Sequence, residues 1–157
     1  MVVSLRPITE ENRDAVLALE LAPGQERVVS TVAESMQEAI DDPAGRAIHW
    51  AIYAGDTPVG FVMVSDEVDD VPGYIPHYLW KLIIDRRHQH RGYGTATLDL
   101  IVAYFCGRPN ADVLTTSAQR GEGSPIPFYE RYGFRQTGET VFDDEARLEL
   151  RLSPVRP

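Results

Sequence analysis

The chain has one cysteine, Cys106, and one lysine, Lys81, among its 157 residues. A lone cysteine excludes an intrachain disulfide. Cys106 falls on the apolar side of an expected helix, where a small buried thiol fits better than a reactive one. No run of about eighteen apolar residues occurs, so no helical membrane span is expected. The opening stretch, Met1 to Pro7, lacks the basic start and long apolar segment of a secretory leader. A cytoplasmic location is therefore the expectation. Positive charge is scarce: 15 Lys and Arg stand against 24 Asp and Glu, a formal net charge of −9. That balance argues against nucleic acid, which selects basic faces. It allows a small cationic partner, which the long-range field of the protein would attract.

What is present suits one domain with one core, residues 1–157. Hydrophobic residues at 43% and charged residues at 25% are ordinary for a globular chain. Val2–Arg6 reads as an opening strand. Thr9 is expected to cap a helix with Glu10 and Glu11 in its first turn, ended by Pro23-Gly24. A second helix is expected near Thr31–Ile40, with Val32, Met36, Ala39 and Ile40 on one face. Ile48–Ala54 and Pro58–Ser65 read as a hairpin about Gly55-Asp56. An acidic loop follows, with Asp66, Glu67, Asp69 and Asp70. Tyr78–Ile84 is nearly all apolar and reads as a central strand covered on both faces. Gly92–Phe105 is an amphipathic helix, with Leu98, Ile101, Val102 and Phe105 on its inner face. Ala111–Thr116 is the next strand, made parallel to the last by the helical crossover. A short helix, Pro125–Tyr132, is expected to end at a left-handed Gly133. Two strands, Phe134–Phe142 and Ala146–Leu152, turn at Asp143-Asp144-Glu145 and close a mixed α/β sheet.

The richest segment joins the central strand to the helix: Gln89-His90-Arg91-Gly92-Tyr93-Gly94. Here Arg86, Arg87, His88, His90 and Arg91 crowd into an otherwise acidic chain. Gly92 and Gly94 carry no Cβ, so the backbone can turn sharply and let a diphosphate approach its amides. Helix-start amides and nearby cations together make an anion site. Two phosphate motifs do not fit. A P-loop needs Gly-Lys-Ser/Thr, and this turn has no lysine. A dinucleotide fingerprint needs Gly or Ala where Thr97 stands, and belongs after the first strand of a sheet.

Gln89-x-x-Gly92-x-Gly94, set between a hydrophobic strand and an amphipathic helix, resembles the acetyl-CoA motif of the GNAT superfamily of N-acetyltransferases. Pro127-Phe128-Tyr129-Glu130-Arg131-Tyr132-Gly133-Phe134 is similar to that superfamily's Tyr-x-x-x-Gly-Phe ending. The order of elements matches along essentially the whole chain. The resemblance implies a mixed, mostly antiparallel sheet with a splayed central parallel pair and helices on both faces. It implies acetyl-CoA as cosubstrate and no metal. Backbone groups of Leu82, Ile83 and Ile84 would meet the pantetheine arm. The turn from Gln89 through His90, Arg91, Gly92, Tyr93 and Gly94 to Thr95 would hold the diphosphate, with Phe128 nearby. Tyr129 would give a proton to the leaving thiolate. Relatives often carry an Asn seven residues before this Tyr. Glu122 stands there instead, and Ser117 or Ser124 is expected to supply the polar contact.

The implied reaction is direct attack of an amine on the thioester. It needs a neutral amine, a held carbonyl oxygen and a proton for the thiolate. A strand amide near Ile84 is the expected oxyanion contact. The central strand has no Glu, so the proton acceptor is left open among water, His77 and the carboxylates of Glu26, Glu34, Asp69 and Asp70. Pro23-Gly24-Gln25-Glu26, Val29-Ser30, Ser35-Met36 and Tyr78-Leu79-Trp80 resemble bacterial polyamine-type acetyltransferases. Glu26, Glu34, His77, Tyr78 and Trp80 are the candidate acceptor-site residues, and a small amine such as spermidine or spermine is the expected partner. The alternative is a module that binds acyl-CoA without catalysis. Exposed sheet edges make a homodimer a further expectation.

Overall fold

The structure is a computed structural model that describes residues 2–66, 68, 71–142 and 144–152. Glu67, Asp69 and Asp70 of the acidic loop, and Asp143 of the last turn, lie outside the described residues. Seven strands form one sheet: β1 (Val3–Arg6), β2 (Ala47–Ala54), β3 (Thr57–Ser65), β4 (Tyr78–Ile84), β5 (Val113–Gln119), β6 (Arg135–Val141) and β7 (Glu145–Arg151). Their order across the sheet is β1-β2-β3-β4-β5-β7-β6. Every neighbouring pair is antiparallel except β4 and β5. Among the described residues the helices are α1 (Arg13–Leu17), α2 (Val32–Asp41), α3 (Tyr93–Cys106) and α4 (Ile126–Tyr132). Single 3-10 turns span Gln25–Arg27 and Pro43–Gly45.

The sheet is covered on both faces by separate apolar clusters. On one face α3 inserts Leu98, Ile101 and Phe105, none of which touches solvent, against Ile52, Val62, Leu79 and Leu148. Each of those three contributes about 1.5–3 kcal/mol by burial. On the other face Val16 and Val32 cover Ala51, Phe61, Met63 and Ile83. The strand pattern reflects this two-sided burial: β3 runs as seven consecutive buried residues, Val59 to Ser65.

Local expectations change at the first two helices, and α1 ends at Leu17, well short of Pro23-Gly24. Thr9 does not cap α1, which begins four residues later. The Asn12 side chain closes a preceding turn instead, accepting from the Thr9 amide at 2.7 Å and donating to the Pro7 carbonyl at 3.0 Å. Short polar side chains offer the backbone such an alternative to helix, and here it wins. On α2, Ile40 lies in solvent at 69% exposure. At 100° per residue it has rotated off the stripe through Val32, Ser35, Met36 and Ala39. Thr31 caps that helix by a reciprocal pair: its hydroxyl accepts from the Glu34 amide at 3.1 Å, and the Glu34 carboxylate accepts from the Thr31 amide at 2.9 Å.

Candidate active site

The site begins where two strands part. β4 and β5 are joined at only two rungs, Tyr78↔Thr115 and Leu79↔Thr116. Beyond them β4 stays with β3 while β5 stays with β7. The unpaired edges leave a wedge open toward the C-terminal end of β4, the usual ligand end of a parallel pair. A bulge in β4 falls at the same place. Met63 faces Lys81 and Val64 faces Leu79, so Trp80 has no partner of its own. Such an extra residue re-aims the side chains beside it.

On one side the wedge opens into a cavity of about 470 Å³. Its floor is Leu82, Ile83 and Ile84, and its far end is the glycine turn. Gly92 takes φ +84 as the N-cap of α3, and no side chain caps that helix. The first intrahelical bond back to the cap is from the Ala96 amide, at 3.0 Å. The amides of Tyr93, Gly94 and Thr95 precede it and so have no intrahelical acceptor, and all three residues line the cavity. A Cβ on Gly94 would stand 3.0 Å from Phe128 Cζ, so only glycine lets Phe128 close over the turn.

The turn is braced from beneath. The Asp85 side chain is fully buried and accepts from the Glu20 amide at 2.8 Å and from the Arg87 amide and Nε at 2.9 Å. Burial pushes its carboxyl up, but these bonds outweigh burial and hold it at about 2. Gln89 Nε2 donates to the Ile84 carbonyl at 3.0 Å, tying the turn to the end of β4. Gln89 thus works as a strap, while its neighbour His90 lines the cavity in a left-handed conformation at φ +63. Arg91 is exposed and does not line this cavity.

Tyr129 lies at the other end, 5% exposed. α4 closes on its carbonyl, which accepts from the Gly133 amide at 3.2 Å and the Phe134 amide at 3.0 Å. Gly133 ends the helix at φ +131, as its place in the sequence suggests. Burial pushes the Tyr129 hydroxyl up to about 12, with the Thr116 hydroxyl acting the other way. The phenol is therefore protonated at neutral pH and able to donate.

A second cavity, about 340 Å³, meets the first at Val29, Leu82, Pro125 and Tyr129. Its walls carry the carboxylates of Glu26, Glu34, Glu38 and Glu145. A third, about 430 Å³, adjoins it through Glu38, Trp80, Lys81 and Glu145 and adds Asp42, Tyr74, Tyr78 and Phe142. Tyr78 is pushed upward by its burial; its hydroxyl bonds Ser117 Oγ at 2.5 Å, and Ser117 donates to Glu145 Oε1 at 2.8 Å.

The structure thus gathers Leu82, Ile83, Ile84, Gln89, His90 and the Gly92–Thr95 turn with Ser124, Phe128 and Tyr129 around one cavity. Ser124 Oγ accepts from the Ile126 amide at 3.2 Å. Ser117 lines the 340 Å³ cavity instead. Glu26, Glu34 and Trp80 line that second cavity, and Tyr78 and Trp80 the third. Two of these carboxylates also have structural partners. Glu26 accepts from the Gly24 amide at 3.1 Å, and the Thr31 bonds lower the Glu34 carboxyl. His77 stands apart: 5% exposed, it packs edge-on against Phe105 and lines none of the three cavities. Sequence reading singled out neither Leu21 nor Glu38, Lys81 and Glu145, and it named Gln25 and Val29 only for their resemblance; Leu21, Gln25 and Val29 line the first cavity. Lys81 did carry a signal, as the one charge within an apolar strand. Among the described residues no group of three or more His, Cys, Asp or Glu could hold a metal ion.

The same architecture occurs in known acetyltransferases. An acetyltransferase from Thermus thermophilus superposes at a TM-score of 0.65 and 20% identity, covering 97% of this chain and 98% of that one. PaiA N-acetyltransferase from Thermoplasma acidophilum, solved in complex with coenzyme A, gives 0.62 and 14%, covering 96% and 99%. The family description "Acetyltransferase (GNAT) domain" matches residues 45–136, more than half of the chain, and the protein belongs to that family. In sequence, the spermine/spermidine N(1)-acetyltransferase of Bacillus subtilis (strain 168) is 26% identical over 161 residues, spanning 97% of this chain and all of that one.

Proposed function

We propose that the protein moves an acetyl group from acetyl-CoA to a primary amine by direct attack, and that the amine is a polyamine. The observation that carries the first part is the row of uncapped amides, Tyr93 to Thr95, at one end of a cavity that has Tyr129 at the other. In this reading the amides and His90 hold the diphosphate. The β4 edge at Leu82–Ile84 pairs with the pantetheine arm, and an amide of that edge holds the thioester oxygen. Arg91 adds long-range attraction from the surface. Tyr129 donates to the thiolate as the C–S bond breaks and the C–N bond forms. Of Ser117 and Ser124, Ser124 takes the polar role of the missing Asn, since it lines the same cavity as the turn.

The amine approaches from the 340 Å³ cavity. Its carboxylates favour a cation, and they and water are the available proton acceptors. The likeness to a spermine/spermidine acetyltransferase along nearly the full length supports a polyamine. CoA-thiol release measured over a panel of amines tests the assignment. Turnover with spermidine or spermine above monoamines and amino acids is the expected result. Turnover with an amino acid or aminoglycoside but not with polyamines would overturn it.

A further inference from the structure

The structure holds a primary ammonium in the acceptor channel already: that of Lys81. Lys81 projects from the apolar strand β4, and its side chain is only 19% exposed. Its Nζ donates to Ser30 Oγ at 3.1 Å and lies 3.1 Å from Glu38 Oε2. Glu38, Trp80 and Lys81 belong to the walls of both the 340 Å³ and the 430 Å³ cavities, so this ion pair stands where the two meet. The β4 bulge accounts for the placement. It lets Trp80 and Lys81 both face the α2 side, where strict alternation would send one of them to the opposite face.

A carboxylate and a hydroxyl converging on an R–NH₃⁺ group are the contacts an amine substrate would need. We propose that Glu38 and Ser30 form a primary-ammonium subsite of the acceptor channel, and that Lys81 is a tethered occupant which an incoming polycation displaces. This rests on reading the two cavities as the acceptor side. An acceptor whose reacting nitrogen lies beside Tyr129 carries its next ammonium several bonds away, toward the 430 Å³ cavity. It must pass Lys81, which repels it, or take the place of Lys81 on Glu38. Lys81 is thereby a specificity-determining residue. It disfavours weakly held cations and admits those with enough further contacts to compete.

The test is calorimetric titration of 1,4-diaminobutane into the CoA-loaded wild type, Lys81→Met, and the double variant Lys81→Met/Glu38→Gln. Lys81→Met should bind the diamine about tenfold more tightly than wild type, since a repelling unit charge is gone and Glu38 is freed. The double variant should lose that gain. Lys81→Gln serves if the methionine variant does not fold, and should show the same gain. Equal or weaker binding in the Lys81 variants overturns the proposal. So does a gain that survives Glu38→Gln, which would mark a diffuse charge effect without a subsite. A wild type that acetylates no polyamine would defeat the functional reading above, whereas the diamine titration still decides this one.

Discussion

The Thr116 hydroxyl donates to the Leu79 carbonyl at 2.9 Å, on the last rung before β4 and β5 separate. Thr116 is buried, and its hydroxyl also acts on Tyr129. One residue therefore closes the wedge at its apex and stands close enough to the proposed proton donor to influence its hydroxyl. Thr116→Val keeps the shape and removes the hydroxyl. It should cost about 1–2 kcal/mol by leaving the Leu79 carbonyl without that donor. It should also lower kcat, because the phenol loses the one neighbour that opposes the upward push of burial. Thermal melts and steady-state rates check both, and no change in either would count against this account of the apex.

Tyr129→Phe separates an enzyme from a module that only binds acyl-CoA. If the hydroxyl donates in the transition state, kcat should fall about 10²–10⁴-fold. Affinity for CoA should stay nearly unchanged, because the ring still fills its place. Steady-state rates and a CoA titration check the two halves, and an undiminished kcat would remove Tyr129 from the chemistry. With the hydroxyl held near 12, the phenol stays protonated through neutral and mildly alkaline pH. Its ionisation should therefore not limit wild-type kcat in that range.

Asp85 gives the turn a pH-dependent brace. Its carboxyl ionises at about 2 in the folded chain, against an ordinary 3.8. The unfolded chain thus binds a proton first as pH falls. The stabilisation is complete above about pH 4 and is lost between there and about pH 2. Asp85→Asn should be less stable than wild type at pH 7 by about 2 kcal/mol or more, since the Glu20 amide and Arg87 lose a charged acceptor. The gap between the two proteins should shrink at pH 2–3. Denaturant titrations at both pH values would show it, and a gap independent of pH would contradict the role.

Gly94 tests the tightness of the phosphate turn. Gly94→Ala places a Cβ 3.0 Å from Phe128 Cζ, so the ring must yield. The fold should survive, while the KM for acetyl-CoA rises about tenfold as the turn and its cover are pushed apart. An unchanged KM would show that Phe128 does not seal the bound diphosphate.

The sequence was most legible where local chemistry and fold agree. The apolar β4 run, the Leu98–Ile101–Phe105 stripe and the glycine pair Gly92 and Gly94 each announce their own structure, and the strand, helix and turn are there. Boundaries moved where a side chain competed with the backbone, as Asn12 did before α1. The first cavity was legible because its residues lie close together in sequence on β4, the turn and α4. The acceptor side was less so. Lys81, Ser30, Glu38 and Glu145 meet only because the β4 bulge, α2 and the start of β7 converge there, and no local pattern encodes that meeting. His77, at a strand entrance with a suitable titration range, is instead packed against Phe105.

The central claim is that main-chain amides at the start of α3 hold the diphosphate of coenzyme A. Amide hydrogen exchange of residues 89–95, measured with and without saturating CoA, tests it most directly. The account predicts marked slowing at Tyr93, Gly94 and Thr95 when CoA binds. Binding of CoA with no slowing at these amides, or no binding at all, would contradict it.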